Sequence, residues 1–353
     1  MQALFAIDKA ELTAQTQAAL AQIDRLAFFS LPLKNRFRRV TCREGILLHG
    51  PAGWAEVSPF WDYQAAESAH WLAAGLEQAT DTQTLPTYRT QIPINVTIPV
   101  VEPQRAAQIV QEFAASVPAD APITAKVKVA DPGVDLAADA SRLAAVRAAL
   151  GARGKIRIDA NAAWSVTEAL EALQVLDKAA GGLEYVEQPC KTVAELAQVR
   201  RKSQIPVAAD ESVRRASDPL AVARAEAADL LVVKLQPMAG IRRVLEVVEE
   251  AGLPTVVSSA LDSSVGIAAG LRLAASLPQL PFACGLGTAR MFTADVVKNP
   301  LIPEGGYLPL SEPEVLWEEA QLASRSTEVA QRITAWRQRL DEMVACLNPE
   351  GTR

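Results

Sequence analysis

Histidine is scarce in this sequence, and its few cysteines are scattered. Among 353 residues the only histidines are His49 and His70, both in the N-terminal region. The sequence therefore has almost no histidines from which a multi-histidine zinc site or a Ser-His-Asp triad could form. The cysteines form no CxxC pair, which favours free, reduced thiols; they are Cys42, Cys190, Cys284 and Cys346. Acid–base chemistry is thus expected from lysines or carboxylates, and metal binding from oxygen ligands, which favour Mg²⁺ or Mn²⁺.

The chain also lacks long apolar runs, runs of basic residues and low-complexity segments. No apolar stretch approaches the roughly 20 residues that a membrane span needs. The first residues, MQALFAIDKAELTAQTQ, lack the basic head and apolar core of a signal peptide. A net charge of −6 indicates neither a nucleic-acid partner nor an anionic membrane. The composition, half of it hydrophobic, predicts a globular cytoplasmic protein with a small-molecule partner, and it leaves the oligomeric state open.

From about residue 92 to 300, β-rich and helical segments alternate. Eight strand candidates separated by helices favour a (β/α)₈-type barrel; they span 93–100, 123–129, 155–160, 182–188, 205–210, 229–236, 253–260 and 281–287. A doubly wound open sheet is the alternative, but such a sheet usually carries a glycine-rich loop after its first strand. The segment PVVEPQRA at that position offers none.

Two flanking regions do not show this alternation of strands and helices. Residues 1–91 combine a helix, an antiparallel hairpin set and a second helix, AAESAHWLAAGLEQAT, which predicts a separate α+β domain before the barrel. Residues 301–353 begin with a turn-rich stretch and end in a long charged helix around 325–346. We expect this tail to pack back on the first domain or on the barrel.

Charged residues stand one at a time at the ends of successive strand candidates. In chain order they are Lys128, Asp159, Glu187, Asp210 and Lys234, roughly one βα unit apart. Burying an unpaired charge costs several kcal/mol, so a single such residue is unusual and an ordered set indicates a site assembled in space. Active sites of barrels lie at the C-terminal mouth, where residues from several strand ends meet.

The order of these charges predicts a divalent cation between two amines. The three carboxylates come from consecutive strands, with Lys128 on one side of them and Lys234 on the other. A cation near a carboxylate substrate favours removal of its α-proton by a neutral amine, because the negative charge of the product is offset. A second ammonium nearby lowers a lysine pKa in the required direction. The alternative is a ring of ion pairs that closes the barrel mouth.

Several stretches resemble the enolase superfamily in its muconate-lactonising-type branch, and within it the o-succinylbenzoate synthase family of the actinobacterial type. They are RFRRVTCREGILL, GWAEVSPF, AKVKV, RIDANAAW, EYVEQPC, ADES, VVKLQPMAG, VSSALDSSVG and CGLGT. The resemblance runs from about residue 26 to 310, which leaves the first 25 residues as an extension. It implies a (β/α)₇β barrel with an N-terminal α+β capping domain.

The resemblance also implies a reaction and residue roles. The reaction is the Mg²⁺-dependent syn dehydration of 2-succinyl-6-hydroxy-2,4-cyclohexadiene-1-carboxylate to o-succinylbenzoate, a step in menaquinone synthesis. Lys128 is then the general base and acid, Lys234 stabilises the intermediate, and the carboxylates of Asp159, Glu187 and Asp210 hold the metal. Residues that help or bind substrate are Lys126, Asn161, Ser258, Ser259 and Gly285.

Other activities remain open at this point. Lysines on both faces of a substrate also suit racemisation of N-succinyl amino acids, and relatives cycloisomerise muconate. Dipeptide epimerases carry a DxD at the end of the eighth strand, where this chain has CGLGTARM, so that activity is disfavoured. A non-catalytic barrel that binds a metal or a protein would be expected to lack one or more of the five charged positions, and all are present.

Overall fold

The computed structural model describes residues 3–37, 40–119, 121–215 and 218–347. Its first part is an antiparallel sheet in the order β1-β2-β3-β4; the strands are β1 (Leu4–Ala6), β2 (Arg25–Phe37), β3 (Val40–Gly50) and β4 (Gly53–Val57). Two residues of the predicted hairpins, Arg38 and Arg39, lie outside the described residues. The first 25 residues, which were predicted to be an extension, contribute β1 to this sheet.

The predicted first helix is shorter than expected. It reduces to a 3₁₀ turn at Lys9–Glu11 and α1 (Ala14–Ala19), which Thr13 caps through its side chain. The second helix, α2 (Ala65–Thr80), has the predicted limits. Its Gly75 lies so close to Val57 of β4 that a Cβ at this position would collide with the valine side chain. This glycine allows α2 to pack tightly against the sheet.

A parallel sheet follows, in the order β12-β11-β10-β9-β8-β7-β6. These strands are β6 (Val96–Ile98), β7 (Thr124–Lys128), β8 (Lys155–Asp159), β9 (Val186–Glu187), β10 (Val207–Ala209), β11 (Leu230–Val233) and β12 (Thr255–Val257). Each coincides with a predicted strand but is shorter. A short antiparallel strand, β5 (Gln91–Pro93), precedes them and pairs with β13 (Tyr307–Pro309).

The eighth predicted strand closes the sheet into a barrel. Cys284 pairs with Ile94 beside β6, and Gly285 pairs with Ser258 at the end of β12, both in parallel register. The backbone N–H groups of Asn95 and Ser259 donate to the carbonyls of Cys284 and Gly285, respectively. The eighth strand is thus reduced to two bridging residues, but it joins the sheet edges. Closure excludes the doubly wound open sheet and agrees with a (β/α)₇β barrel.

Helices cover the outside of the barrel. They are α3 (Pro103–Ala114), α4 (Leu136–Leu150), α5 (Val166–Ala180), α6 (Val193–Lys202), α7 (Glu211–Arg214), α8 (Ala221–Arg224), α9 (Ile241–Ala251) and α10 (Ser264–Ser276). Helix α5 begins with a capping box of Ser165 and Glu168. Helix α9 ends at Gly252, which adopts the left-handed conformation (φ 63°) as a stop residue does.

The C-terminal segment returns to the N-terminal sheet. After β13 it forms α11 (Trp317–Leu322) and α12 (Thr327–Cys346). Trp336 and Leu340 of α12 are buried in the same apolar core as Phe28 and Trp71. Ala260 and Leu261, which follow β12, also join that core. The domain limits at residues 91 and 300 stay a prediction, and the two regions share packing across them.

Two predictions from composition can be compared with the structure. All four cysteines are free thiols. Across the described ranges, no helix is both long enough and apolar enough to cross a bilayer.

We predict that α12 is required for the stability of the N-terminal sheet. Leu340→Ala should lower the free energy of unfolding by about 2–5 kcal/mol, because Leu340 is fully buried. Leu322→Ala is the matched control, since Leu322 is 86% exposed, and it should change stability by about 0.5 kcal/mol or less. Denaturant titration of both variants measures the difference. Equal stability of the two would show that α12 does not pack as described.

Candidate active site

The strand-end residues lie side by side at the C-terminal mouth of the barrel. Lys128 is paired with Asp159 in the register of β7 and β8, and Asp159 is paired with Glu187 in that of β8 and β9. Asp210 directly follows β10, and Lys234 directly follows β11. Because side chains alternate along a strand, Lys126 and Lys128 share the inner face. The structure therefore brings the five predicted residues to one mouth.

The carboxylates at this mouth are ion-paired with ammonium groups. Lys126 Nζ lies 2.9 Å from Asp159 Oδ2 and 2.5 Å from Glu187 Oε1, and Lys128 Nζ lies 2.5 Å from Asp159 Oδ2. Lys234 Nζ lies 2.5 Å from Asp210 Oδ2, and Arg214 Nε lies 2.8 Å from Asp210 Oδ1. These contacts reproduce the ring of ion pairs that was the alternative interpretation, so the ion pairs by themselves do not distinguish structure from catalysis.

The pKa values of the two lysines of β7 are shifted in opposite directions. Burial lowers the pKa of Lys128, although Asp159 opposes the shift, and the neighbouring charge of Lys126 lowers it further. Burial also disfavours the charged form of Lys126, but the carboxylates of Asp159 and Glu187 outweigh it and raise the pKa of Lys126. Lys128 is therefore the lysine of this pair that gives up its proton more readily, as a general base must.

Glu187 differs from the other two carboxylates. Burial and the charge of Asp159 raise the pKa of Glu187 to about 7. Although burial opposes their ionisation, adjacent cations lower the pKa of Asp159 and of Asp210. Glu187 Oε2 is buried and has no hydrogen-bond partner among the described residues. Glu187 is therefore paired with Lys126 through one oxygen, while its other buried oxygen is left without a partner.

The three carboxylates suit a hard divalent cation, although in this structure they are paired with ammonium groups. Three buried carboxylates on adjacent strand ends, one with an unpartnered oxygen, are ligands of the type that Mg²⁺ and Mn²⁺ prefer. In the part of the chain that the structure describes, no three His, Cys, Asp or Glu side chains already form a group that could hold a metal ion. The predicted ligand roles of Asp159, Glu187 and Asp210 stay a prediction.

A small cavity of about 40 Å³ lies beside these residues. The predicted lysines and substrate-binding residues line it together; they are Lys126, Lys128, Asn161, Lys234, Ser258, Ser259 and Gly285. Lys128 Nζ donates to Asn161 Oδ1 at 2.7 Å, and Ser259 Oγ donates to the Gly285 carbonyl at 2.9 Å. A Cβ on Gly285 would collide with the Ser258 hydroxyl, so only glycine permits this approach. The substrate-binding role of these residues stays a prediction.

Other residues of the site were missed from the sequence. Gln188 Oε1 accepts hydrogen bonds from the backbone N–H groups of Asp210 (2.9 Å) and Ser212 (3.1 Å). Arg214 binds Asp210 and also donates to the Tyr63 hydroxyl at 2.9 Å, which links the site to the N-terminal region. The four-residue spacing of Asp210 and Arg214 at the start of a short helix was the available signal for this pair.

A second buried carboxylate pair joins the N-terminal sheet to the loop after β12. Glu56 Oε2 accepts hydrogen bonds from the backbone N–H groups of Ser263 (2.9 Å) and Gly266 (3.2 Å). Burial and the charge of Glu56 raise the pKa of Asp262 to about 7. Asp262 Oδ1 is buried and has no hydrogen-bond partner within the described ranges. The two acids therefore favour a protonated state of the pair.

Comparison with known proteins places both parts of the chain in one group of enzymes. The family described as "Enolase N-terminal domain-like" matches residues 28–79, and "Enolase C-terminal domain-like" matches residues 108–314. The o-succinylbenzoate synthase of Thermobifida fusca (strain YX) is 50% identical over 312 residues, 88% of this chain and 93% of that protein. That of Mycobacterium leprae (strain TN) is 47% identical over 310 residues, 88% of this chain and 89% of that protein.

Solved structures share the fold at lower identity. The N-succinyl Arg/Lys racemase from Bacillus cereus ATCC 14579 gives a TM-score of 0.70 at 20% identity, covering 86% of this chain and 98% of that one. The L-Ala-D/L-Glu epimerase from Bacillus subtilis gives a TM-score of 0.68 at 22% identity, covering 82% of this chain and 96% of that one. At these identities the likeness describes the fold and not the reaction.

We predict that Asp262→Asn stabilises the protein, and more at high pH than at low pH. The folded-state pKa of Asp262 is raised to about 7 from an ordinary value of 3.8. The stability that protonated Asp262 contributes to the folded state is therefore fully present below its ordinary pKa. This contribution is lost as pH rises through 7. The asparagine cannot ionise, so its advantage at pH 8 should be on the order of 1 kcal/mol or more and should shrink at pH 5.

The measurement is thermal or denaturant unfolding at pH 5 and pH 8. Asp131→Asn removes the same charge from an exposed position and should follow the wild type at both values. A constant difference between Asp262→Asn and the wild type across this range would contradict the shifted pKa of Asp262.

Proposed function

The chain belongs to the enolase superfamily, as its motifs predicted, and on this premise we propose that it is an o-succinylbenzoate synthase. This activity is a carbon–oxygen lyase reaction that dehydrates 2-succinyl-6-hydroxy-2,4-cyclohexadiene-1-carboxylate in menaquinone synthesis. Relatives of that name are about half identical over most of the chain. The observation that carries the proposal is a cavity with Lys128 and Lys234 beside three buried carboxylates.

The two lysines belong to opposite sides of this cavity. Lys128 ends β7, whereas Lys234 follows β11, which lies four strands further around an eight-stranded barrel. A substrate between them presents one face to each lysine. In a syn dehydration the proton and the hydroxyl leave from one face, so a single group serves both transfers. We assign this role to Lys128, whose pKa is lowered by burial.

One lysine then transfers the proton, and the other acts only as a cation. Neutral Lys128 removes the proton α to the substrate carboxylate, and the resulting ammonium donates the proton to the departing hydroxyl, which leaves as water. Lys234 remains an ammonium and stabilises the negative charge that develops in the ring. Lys126, held by Asp159 and Glu187, keeps its charge and orients those carboxylates. Asn161 holds Lys128 through its side-chain oxygen.

Divalent-metal dependence is a property of the enolase superfamily, and one solved relative is described as complexed with Mg and a dipeptide. We assign Asp159, Glu187 and Asp210 as the residues that would hold Mg²⁺ here, with Mn²⁺ as a substitute. When bound, such an ion offsets the charge that develops on the substrate carboxylate. The buried, unpartnered oxygen of Glu187 supports this assignment.

N-succinylamino acid racemisation is a second candidate. It is favoured by one observation, the presence of a lysine on each side of the cavity. A racemase needs a neutral base on each face in turn, whereas a dehydratase needs a base on only one face. The two functions therefore make different demands on Lys234.

We predict that substitutions of the two lysines separate these activities. Lys128→Ala should reduce dehydration by about 10²–10⁴-fold, because the general base and acid are both lost. Lys234→Arg keeps the positive charge but cannot act as a base near neutral pH, so it should retain measurable dehydration and abolish racemisation. Steady-state assays of both reactions on both variants provide the measurement.

Lys202→Ala, an exposed lysine on α6, is the control and should behave as the wild type in both assays. A Lys128→Ala variant that dehydrates at the wild-type rate would overturn the assignment of the base. Loss of both activities in a folded Lys234→Arg variant would leave the one-base mechanism without support.

We also predict that the three carboxylates act together in metal binding. Asp159→Asn, Glu187→Gln and Asp210→Asn should each weaken Mg²⁺ binding by about 10-fold or more, because each removes a charge that offsets the cation. Isothermal titration of the folded variants with Mg²⁺ measures this directly. Glu171→Gln, exposed on α5, is the control. Full dehydratase activity of the wild type in excess chelator would refute the metal role.

A further inference from the structure

Unfavourable backbone conformations are concentrated at the mouth of the barrel. Across the described part of the chain, seven residues other than glycine have a positive φ, and all except Glu226 lie in segments that follow barrel strands. These six are Ala130, Asn161, Ala162, Gln188, Ala239 and Leu261. A side chain disfavours this conformation, so it persists only where neighbouring groups hold it. Each of these residues therefore needs a contact that keeps its backbone in place.

Leu261 is the largest apolar residue of this set, and it separates the active-site cavity from the N-terminal core. Its φ is 65°, and its side chain is buried. It lines the cavity that contains Lys128 and Lys234. It also belongs to the apolar core that contains Phe28 of β2. A change in its backbone would therefore alter the wall of the cavity.

Arg43 of β3 binds the backbone at this residue. Its side chain is buried; Nε donates to the Leu261 carbonyl at 3.1 Å, and Nη2 donates to the Ala260 carbonyl at 3.3 Å. Nη2 also donates to the carbonyl of Ser58, which directly follows β4, and to its hydroxyl. The guanidinium lies over the Phe60 ring, 4.1 Å from the ring centroid. One planar group thus joins two consecutive carbonyls of the barrel loop to the N-terminal sheet.

Glu56 holds the next part of the same loop. Its Oε2 accepts the hydrogen bonds from Ser263 and Gly266 described above. Its Oε1 accepts a hydrogen bond from the Ser58 hydroxyl at 2.5 Å, so Glu56 and Arg43 share Ser58 as a partner. Of the two charged residues, Arg43 is the one that binds the carbonyl of Leu261. The contact that opposes the unfavourable φ is therefore the one made by Arg43.

We propose that Arg43 is a positioning residue, which keeps Leu261 in its left-handed conformation and so fixes the cavity wall beside Lys234. Within the described structure Arg43 does not itself line the cavity, so it acts through Leu261. The kinetic consequence rests on the proposed function. The backbone conformation of Leu261 can be measured without it.

The test replaces Arg43 by lysine in three backgrounds. Arg43→Lys keeps a positive charge beside Glu56 but lacks the planar fork that reaches the carbonyls of Leu261 and Ala260 together. The backgrounds are the wild type, Leu261→Ala and Leu261→Gly. Both substitutions at position 261 shorten the side chain, but only glycine adopts a positive φ without strain. A requirement for Arg43 that comes from this strain should therefore be absent only in the glycine background.

Crystal structures and steady-state dehydration assays provide the two measurements. In Arg43→Lys, the backbone of Leu261 should move to a negative φ. Its kcat/KM should fall about 10-fold, which corresponds to the strain of one left-handed residue. The fall should lie mainly in KM, because the wall contacts the substrate before and during the reaction. Arg43→Lys should lower kcat/KM by a similar factor in Leu261→Ala and by no more than about 2-fold in Leu261→Gly.

Arg147→Lys is the matched control. Arg147 also binds three backbone carbonyls through one guanidinium, those of Ala180, Gly151 and Gly154. Gly154 directly precedes β8, so this cluster lies at the opposite end of the barrel from the cavity. Arg147→Lys can lower stability, but its kcat/KM and KM should match those of the wild type.

Three results would overturn the inference. They are a left-handed Leu261 in the Arg43→Lys structure, an equal loss of kcat/KM in the alanine and glycine backgrounds, and a failure of Arg43→Lys to fold in every background. Folding of Arg43→Lys only when residue 261 is glycine would support it. A wild-type protein without dehydratase activity would overturn the proposed function, whereas the conformation of Leu261 in Arg43→Lys would still decide the role of Arg43.

Discussion

The rest of the structure depends on the burial of carboxylates beside ammonium groups at the barrel mouth. Asp159 contacts two lysines, and Asp210 contacts Lys234 and Arg214. Removing one partner of a buried ion pair leaves the other charge unpaired, which costs about 3–5 kcal/mol. Glu187 is the exception, since one of its oxygens has no partner among the described residues. The atoms that stabilise the mouth are thus also those proposed to bind a metal and move a proton.

The N-terminal region completes this mouth and does not merely cover it. Tyr63 binds Arg214, which in turn binds Asp210. Glu56 binds the backbone after β12, next to the loop that lines the cavity. Phe37 of β2 lines the same cavity. The N-terminal region therefore contacts the residues proposed as catalytic, or their immediate neighbours, through hydrogen bonds and packing.

Local patterns predicted the elements better than their limits. The α2 helix and the barrel strands were found because their apolar periodicity and their flanking turn residues are local properties. Helix α1 was overestimated, since Thr13 caps a new helix within the predicted one. The eighth strand was overestimated as well, because only Cys284 and Gly285 meet the sheet edges when the barrel closes. Gln188 and Glu56 were missed because their partners lie on other strands and in another region of the chain.

The sequence by itself determined the barrel class, the family and the five charged positions, because apolar runs that end in single charges are visible along the chain. It also predicted that any metal would be held by oxygen ligands. Only the tertiary structure decided which carboxylate pairs with which lysine and which oxygen of Glu187 stays unpartnered. These contacts join strand ends far apart in the chain, and no periodicity within a segment records them.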